Sequence, residues 1–187
     1  MDNSKELNFV KDVLNNIPPE WLSKTTHRLD IYDESQAKVQ FTEQFEALFN
    51  KNDSSTSALS ELSTAYDYIR LGHPLSCILE WVIAKNNNLG SENIISFSSK
   101  TIAIMAILRK NLLENKNTQI LHTDELPKSF DVELLKNIYG YKFDLKKVSK
   151  PDEVTDFNGT TIFVSKQVGL SKKSLDPNID FYLNCVF

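Results

Sequence analysis

From Pro74 to Phe187 the sequence alternates between helical and extended patterns, and this alternation constrains the fold more than any other feature. After Pro74, apolar residues recur at helical spacing until the polar residues 86–88 and Gly90. Further helices are predicted over 100–114 and 128–139, and strands over 93–97, 119–122, 141–147, 160–165 and 179–187. Strands that alternate with helices of this length indicate a mostly parallel sheet covered by helices. The sequence therefore predicts an α/β fold.

Residues 1–60 have a different character, because their apolar positions follow helical spacing alone. One helix is predicted to end before Pro18, and a second is predicted over 36–50. The polar stretch 51–57 predicts a hinge or a helix N-cap region. We therefore divide the chain into a helical N-terminal region, 1–60, and an α/β domain, 61–187.

Length and charge exclude several classes of protein. The 187 residues suffice for a core without disulfides or metals, and a net charge of −4 without a basic block argues against direct binding of nucleic acid or anionic membranes. The sequence has no apolar run of membrane-spanning length and no secretory pattern at its start, which predicts an intracellular protein, cytoplasmic or nuclear. Cys77 and Cys185 lack CxxC neighbours and are interpreted as buried small hydrophobic residues, and the three dispersed histidines predict no metal site.

The most specific stretch of the sequence runs from YIRLGHPL at 68–75, through Leu-Glu at 79–80, to FSSKTIAI at 97–104. It resembles the pyridoxal-phosphate enzymes of cysteine and methionine metabolism, the cystathionine synthases and lyases. That family has Tyr-x-Arg-x-x-Asn-Pro-Thr at the start of a helix and then Phe-Ser-Ser-Gly-Met-Ala-Ala-Ile as strand, phosphate turn and helix. The resemblance covers about residues 64–148 and implies part of a fold type I large domain.

The resemblance implies roles for four residues. Tyr68 and Arg70 match family residues that cross a dimer interface to the cofactor phosphate of the neighbouring subunit. The residues alone leave open a local pairing of Arg70 with a carboxylate such as Asp67. Ser99 and Lys100 fall on the phosphate turn, where the family has Gly in place of Lys100 so that backbone amides can close on phosphate. We interpret the four as vestigial cofactor-binding residues, or as residues acting in trans.

Other positions of the family's site are not retained. Its ring-stacking Tyr aligns with Pro127, and its Asp that pairs with the pyridine nitrogen aligns with Asn184. No lysine matches the family's Schiff-base lysine, and Lys166, Lys172 and Lys173 fit a solvated loop. The resemblance therefore implies no covalently bound pyridoxal phosphate, no catalytic residue and no carbanion chemistry.

These observations predict a non-catalytic pseudoenzyme that acts as a protein-binding, scaffolding or regulatory subunit, with a second copy or another protein as its partner. The alternative is a subunit whose Tyr68 and Arg70 complete in trans the phosphate site of an intact trans-sulfuration-type enzyme. A third interpretation treats the chain as a piece of a longer protein.

The family's strand order also predicts an incomplete sheet. It would leave strand 93–97 without a neighbour on the side of strand 179–187. We therefore expect a rearranged sheet, N-terminal helices that cover the gap, or another chain that fills it.

Overall fold

A computed structural model of the protein describes residues 4–22, 34–64, 73–149, 156–166 and 175–184. The chain divides into two compact units, Met1–Ser96 and Phe97–Phe187. The predicted domains have a different boundary, at residue 60. Residues 74–87 pack within the first unit because Cys77, Ile78 and Trp81 share a buried cluster with residues of 1–60.

The first unit consists of helices in its described part. These are α1 (Ser4–Asn15), a 3₁₀ helix (Pro19–Leu22), α2 (Glu34–Lys51), α3 (Thr56–Ser60), α4 (Pro74–Asn87) and a second 3₁₀ helix (Ser91–Asn93). The predictions of α1, α2 and α4 are confirmed. Ser55 lies in the polar stretch and caps α3 by accepting the amide of Ala58, which confirms the N-cap prediction there.

Aromatic side chains form the core of the first unit. Phe41, Phe45 and Phe49 recur every four residues along α2 and are buried, as helical spacing requires. The ring of Trp81 packs edge-on at 5.2 Å from Phe45 and 5.1 Å from Phe49, measured between ring centroids. Trp21 and Trp81 are both buried in this core, whereas Val39 of α2 is exposed.

The second unit contains a four-stranded sheet with helices. Its elements are α5 (Lys100–Leu113), β1 (Thr118–His122), α6 (Val132–Asn137), β2 (Phe143–Lys147), β3 (Thr160–Ser165) and β4 (Phe181–Asn184). All the pairings are parallel and the strand order is β2-β1-β3-β4. The α/β prediction is confirmed.

The two faces of the sheet pack separately because side chains alternate along each strand. On one face, Ile120 and Ile162 form a buried cluster with Ile104 and Leu108 of α5 and Leu135 of α6. On the opposite face, Leu121 of β1 and Phe163 of β3 form a second buried cluster with two residues outside the strands, Val148 after β2 and Ile179 before β4. None of the described helices is long and apolar enough to cross a membrane.

Two predicted elements differ from the structure. The strand predicted over 93–97 is wrong: side chains of Lys38 and Glu80 bind the Ile94 carbonyl and the Ser96 amide, and the segment joins no sheet. Because residues 93–97 are not a strand of the sheet, the gap expected between them and the last strand does not arise. The strand β4 lies at an edge of the sheet. The helix predicted over 128–139 is shorter, because Phe130 closes a turn onto Pro127 and Asp131 then caps α6.

Candidate functional site

The carboxyl edge of the sheet is the candidate site. The chain leaves β1 toward β2 on one side and leaves β3 toward β4 on the other. Parallel sheets bind ligands where neighbouring strands send their connections in opposite directions, because a crevice opens between the two loops. The described residues at this place are His122, which ends β1, with Thr123 and Asp124 after it, and Ser165, which ends β3, with Lys166 after it.

Asp124 joins the ends of these two strands. Its Oδ2 accepts the Thr123 hydroxyl at 3.0 Å and the Lys166 amide at 3.1 Å. The Thr123 hydrogen bond holds the pKa of the Asp124 carboxyl below its ordinary value, and the Lys166 amide and the charges of Lys166 and Lys100 act in the same direction. The carboxylate is therefore ionised at neutral pH and gives this edge of the sheet a fixed negative charge.

Lys100 supplies the opposite charge from the start of α5. Its Nζ donates to the Ser165 carbonyl at 3.3 Å, so the side chain reaches from the helix to the end of β3. Its charge also acts on Asp124. The half-buried ammonium is thus associated with protein oxygen atoms at the place where the resemblance implies a phosphate turn.

Ser99 is the N-cap of α5, and its hydroxyl accepts the amide of Ile102 at 3.2 Å. This contact satisfies one of the amides that a phosphate would otherwise use at a helix N-terminus. Ser99 and Lys100 therefore lie side by side, as the sequence requires, but both are engaged by atoms of this chain.

The remaining predicted positions are only partly placed. Tyr68 and Arg70 lie outside the described residues, as do Cys185, Lys172 and Lys173. Asn184 ends β4 beside Ser165, and its buried Oδ1 has no hydrogen-bond partner among the described residues. Pro127 lies in the loop after β1, where its carbonyl accepts the amide of Phe130.

The histidines and acidic residues of the described ranges do not form a metal centre. No three His, Cys, Asp or Glu side chains in these ranges come close enough together to hold a metal ion. His122 points its Nδ1 at the Asp124 carbonyl at 2.8 Å, and His73 caps α4 in the other unit.

Sequence reasoning missed Asp124 and the Ser165 carbonyl. The signal for Asp124 was a run of polar residues directly after the buried strand β1, since such residues lie at the carboxyl edge. No sequence signal points to Ser165, because its contribution is a backbone carbonyl brought to Lys100 by the sheet. Comparison with known proteins adds no assignment: no family model, no curated protein and no solved structure matches this chain significantly.

Proposed function

We propose that this protein is a non-catalytic relative of the pyridoxal-phosphate enzymes of cysteine and methionine metabolism, retained as a protein-binding or scaffolding subunit. The observation that carries the proposal is the position of Lys100. Its ammonium reaches from the start of α5 to the Ser165 carbonyl at the end of β3. A turn that holds a phosphate needs free backbone amides and open space at this point.

The side chains at the carboxyl edge of the sheet support the proposal that the protein holds no pyridoxal phosphate. A cofactor phosphate would have to displace the Lys100 side chain from its carbonyl partner and would lie close to the ionised Asp124. At the position aligned with the acid that pairs with the pyridine nitrogen, Asn184 offers an amide and no negative charge. We therefore propose no catalytic step at this edge of the sheet. We propose instead that the protein acts within an intracellular protein complex.

Purification from the source cells tests both parts of the proposal. We expect the tagged protein to elute with a partner, a second copy or another chain, in a fixed ratio. Its absorbance spectrum should show no peak at about 420 nm, where an internal Schiff base absorbs. A stoichiometric absorbance there would contradict the loss of the cofactor. Elution as a monomer without partners would contradict a scaffolding role.

The second candidate is a subunit that completes a phosphate site in trans. The Tyr68 and Arg70 match in the sequence favours it, because a hydroxyl and a guanidinium two residues apart suit a phosphate. Mixing the protein with an intact trans-sulfuration-type enzyme should then raise the enzyme's affinity for its cofactor, and Arg70→Ala should abolish the gain. Arg109→Ala is the control, since this arginine lies on α5 and not in the matching segment.

A further inference from the structure

A buried carboxylate on α4 has a role that the proposed function does not use. Glu80 is only 5% exposed. Its Oε2 pairs with the Lys38 ammonium of α2 at 2.5 Å, and its Oε1 accepts both the amide and the hydroxyl of Ser96 at 2.7 and 2.8 Å. A buried charge persists only when it is paired and hydrogen-bonded, and here both oxygens are used.

The same ion pair binds the segment that precedes α5 at two backbone positions. The Lys38 ammonium donates to the Ile94 carbonyl at 2.5 Å, while Glu80 accepts the Ser96 amide. Ile94 has strand-like dihedral angles, φ −116° and ψ 130°. In an extended chain, the carbonyl of one residue and the amide two residues later point to the same side.

This arrangement reproduces the hydrogen bonds of a parallel neighbour. In a parallel ladder, one residue of the adjacent strand donates to the carbonyl before its partner and accepts the amide after it. With Ile95 as the partner, Lys38 takes the place of the donor and Glu80 takes the place of the acceptor. Within the described residues the backbone of Ile95 has no hydrogen bond, and its side chain is 67% exposed.

We propose that the Lys38–Glu80 ion pair is a latch: it takes the place of a neighbouring β-strand and holds residues 94–96 in an extended conformation beside α2 and α4. The latch explains why a stretch with β-branched, apolar sequence is extended and yet belongs to no sheet. It depends on contacts within the first unit and is independent of the proposed function.

Hydrogen exchange of the full-length protein tests the latch. The Ser96 amide should be protected in the wild-type protein, and Glu80→Gln and Lys38→Met should each accelerate its exchange by about tenfold or more, since bonds to charged groups are the stronger ones. Lys85→Met is the matched control. Lys85 also joins α4 to α2, through Glu46 at 2.7 Å, but is not one of the side chains that bond the backbone of residues 94–96.

Charge reversal separates the latch from a simple ion pair. The double variant K38E/E80K keeps opposite charges, but a glutamate at 38 cannot donate to Ile94 and a lysine at 80 cannot accept from Ser96. It should therefore leave Ser96 unprotected. Rescue of protection by this variant would overturn the proposal, as would equal effects of Lys38→Met and Lys85→Met.

Two measurements remain decisive if the Glu80 and Lys38 variants do not fold. In the wild-type protein, exchange of Ser96 at the rate of an unstructured chain would overturn the latch. Ser96→Ala removes only the hydroxyl contact and should keep the amide protected. Complete loss of amide protection in that variant would contradict the assignment of the amide bond to Glu80.

Discussion

His73 shows at the residue scale how one side chain joins two segments. Its Nδ1 accepts the Leu75 amide at 3.2 Å and caps α4, while its Nε2 lies 2.9 Å from the Trp21 carbonyl. A carbonyl only accepts, so Nε2 is the donor in the contact with Trp21. In the matching segment His73 falls where the resembling family has Asn, and no sequence signal indicates its contact with the Trp21 carbonyl, 52 residues away.

Replacing His73 separates these two contacts. His73→Ala should lower the free energy of unfolding by about 1–2 kcal/mol, because both the cap and the Trp21 bond are lost. His73→Asn retains a capping side chain and should lose only about half as much. Urea denaturation followed by tryptophan fluorescence measures both, since Trp21 and Trp81 belong to the same unit as α4. Equal losses in the two variants would contradict the capping role.

Also at the residue scale, the buried Cys77 thiol should make the free energy of unfolding depend on pH. Burial raises the pKa of the Cys77 thiol to about 11, and the nearby Glu80 carboxylate acts in the same direction. The unfolded chain releases this proton first as the pH rises above about 9. The thiol's contribution to stability is therefore present below pH 9 and is lost as the pH rises toward 11.

The measurement compares Cys77→Ala with the parent protein, both carrying Cys185→Ser. The parent's free energy of unfolding should fall relative to that of the alanine variant by up to about 2–3 kcal/mol between pH 9 and 11. In the folded parent, a thiol reagent at pH 8 should react with Cys77 far more slowly than in urea. A constant stability difference, or fast labelling of the folded protein, would contradict the buried site.

At the scale of elements, Gly159 sets the start of β3. The amide of Thr160, the first residue of β3, donates to the carbonyl of Asn117, the residue before β1, at 2.9 Å. This hydrogen bond brings the starts of the two strands together. A Cβ on residue 159 would lie 2.5 Å from that carbonyl oxygen, which belongs to the backbone and cannot move alone. Glycine is therefore required at this position by close approach.

Gly159→Ala should destabilise the protein by about 1–3 kcal/mol, as an overpacked site does. Gly90→Ala is the control. There the added Cβ would meet the carboxylate end of Glu92, a flexible side chain that can turn away, so the expected loss is below about 0.5 kcal/mol. Thermal unfolding followed by circular dichroism compares the two. A loss in Gly90→Ala as large as that in Gly159→Ala would contradict the steric argument.

The sequence predicted those elements whose signal is local. The bounds of β3 match the prediction because its apolar run and the flanking polar residues lie together in the chain. Residues 93–97 also form a short apolar run, like β3. Their backbone groups, however, are bound by the side chains of Lys38 and Glu80, which are distant in sequence, and not by a neighbouring strand. The helix around Leu135 was predicted too long because the cap at Asp131 moved its start to Val132.

At the scale of the whole molecule, each unit has its own core, which is rich in aromatic side chains in the first unit and mostly aliphatic in the second. The sequence located Ser99 and Lys100 at a candidate site, and both begin α5 there. It could not locate the partner of Lys100, because that partner is a carbonyl at the end of β3, 65 residues away. We propose that Lys100, whose ammonium donates to the Ser165 carbonyl, takes the place of a cofactor phosphate, and that no lysine of this protein holds pyridoxal phosphate as a Schiff base.

Covalent trapping of the cofactor tests this claim most directly. The folded protein is incubated with one equivalent of pyridoxal phosphate, reduced with borohydride and weighed by intact-mass spectrometry, with the urea-unfolded chain as control. We predict only the scattered, low labelling of surface lysines that the unfolded chain also shows. Stoichiometric labelling of a single lysine in the folded protein, absent from the unfolded chain, would contradict the account.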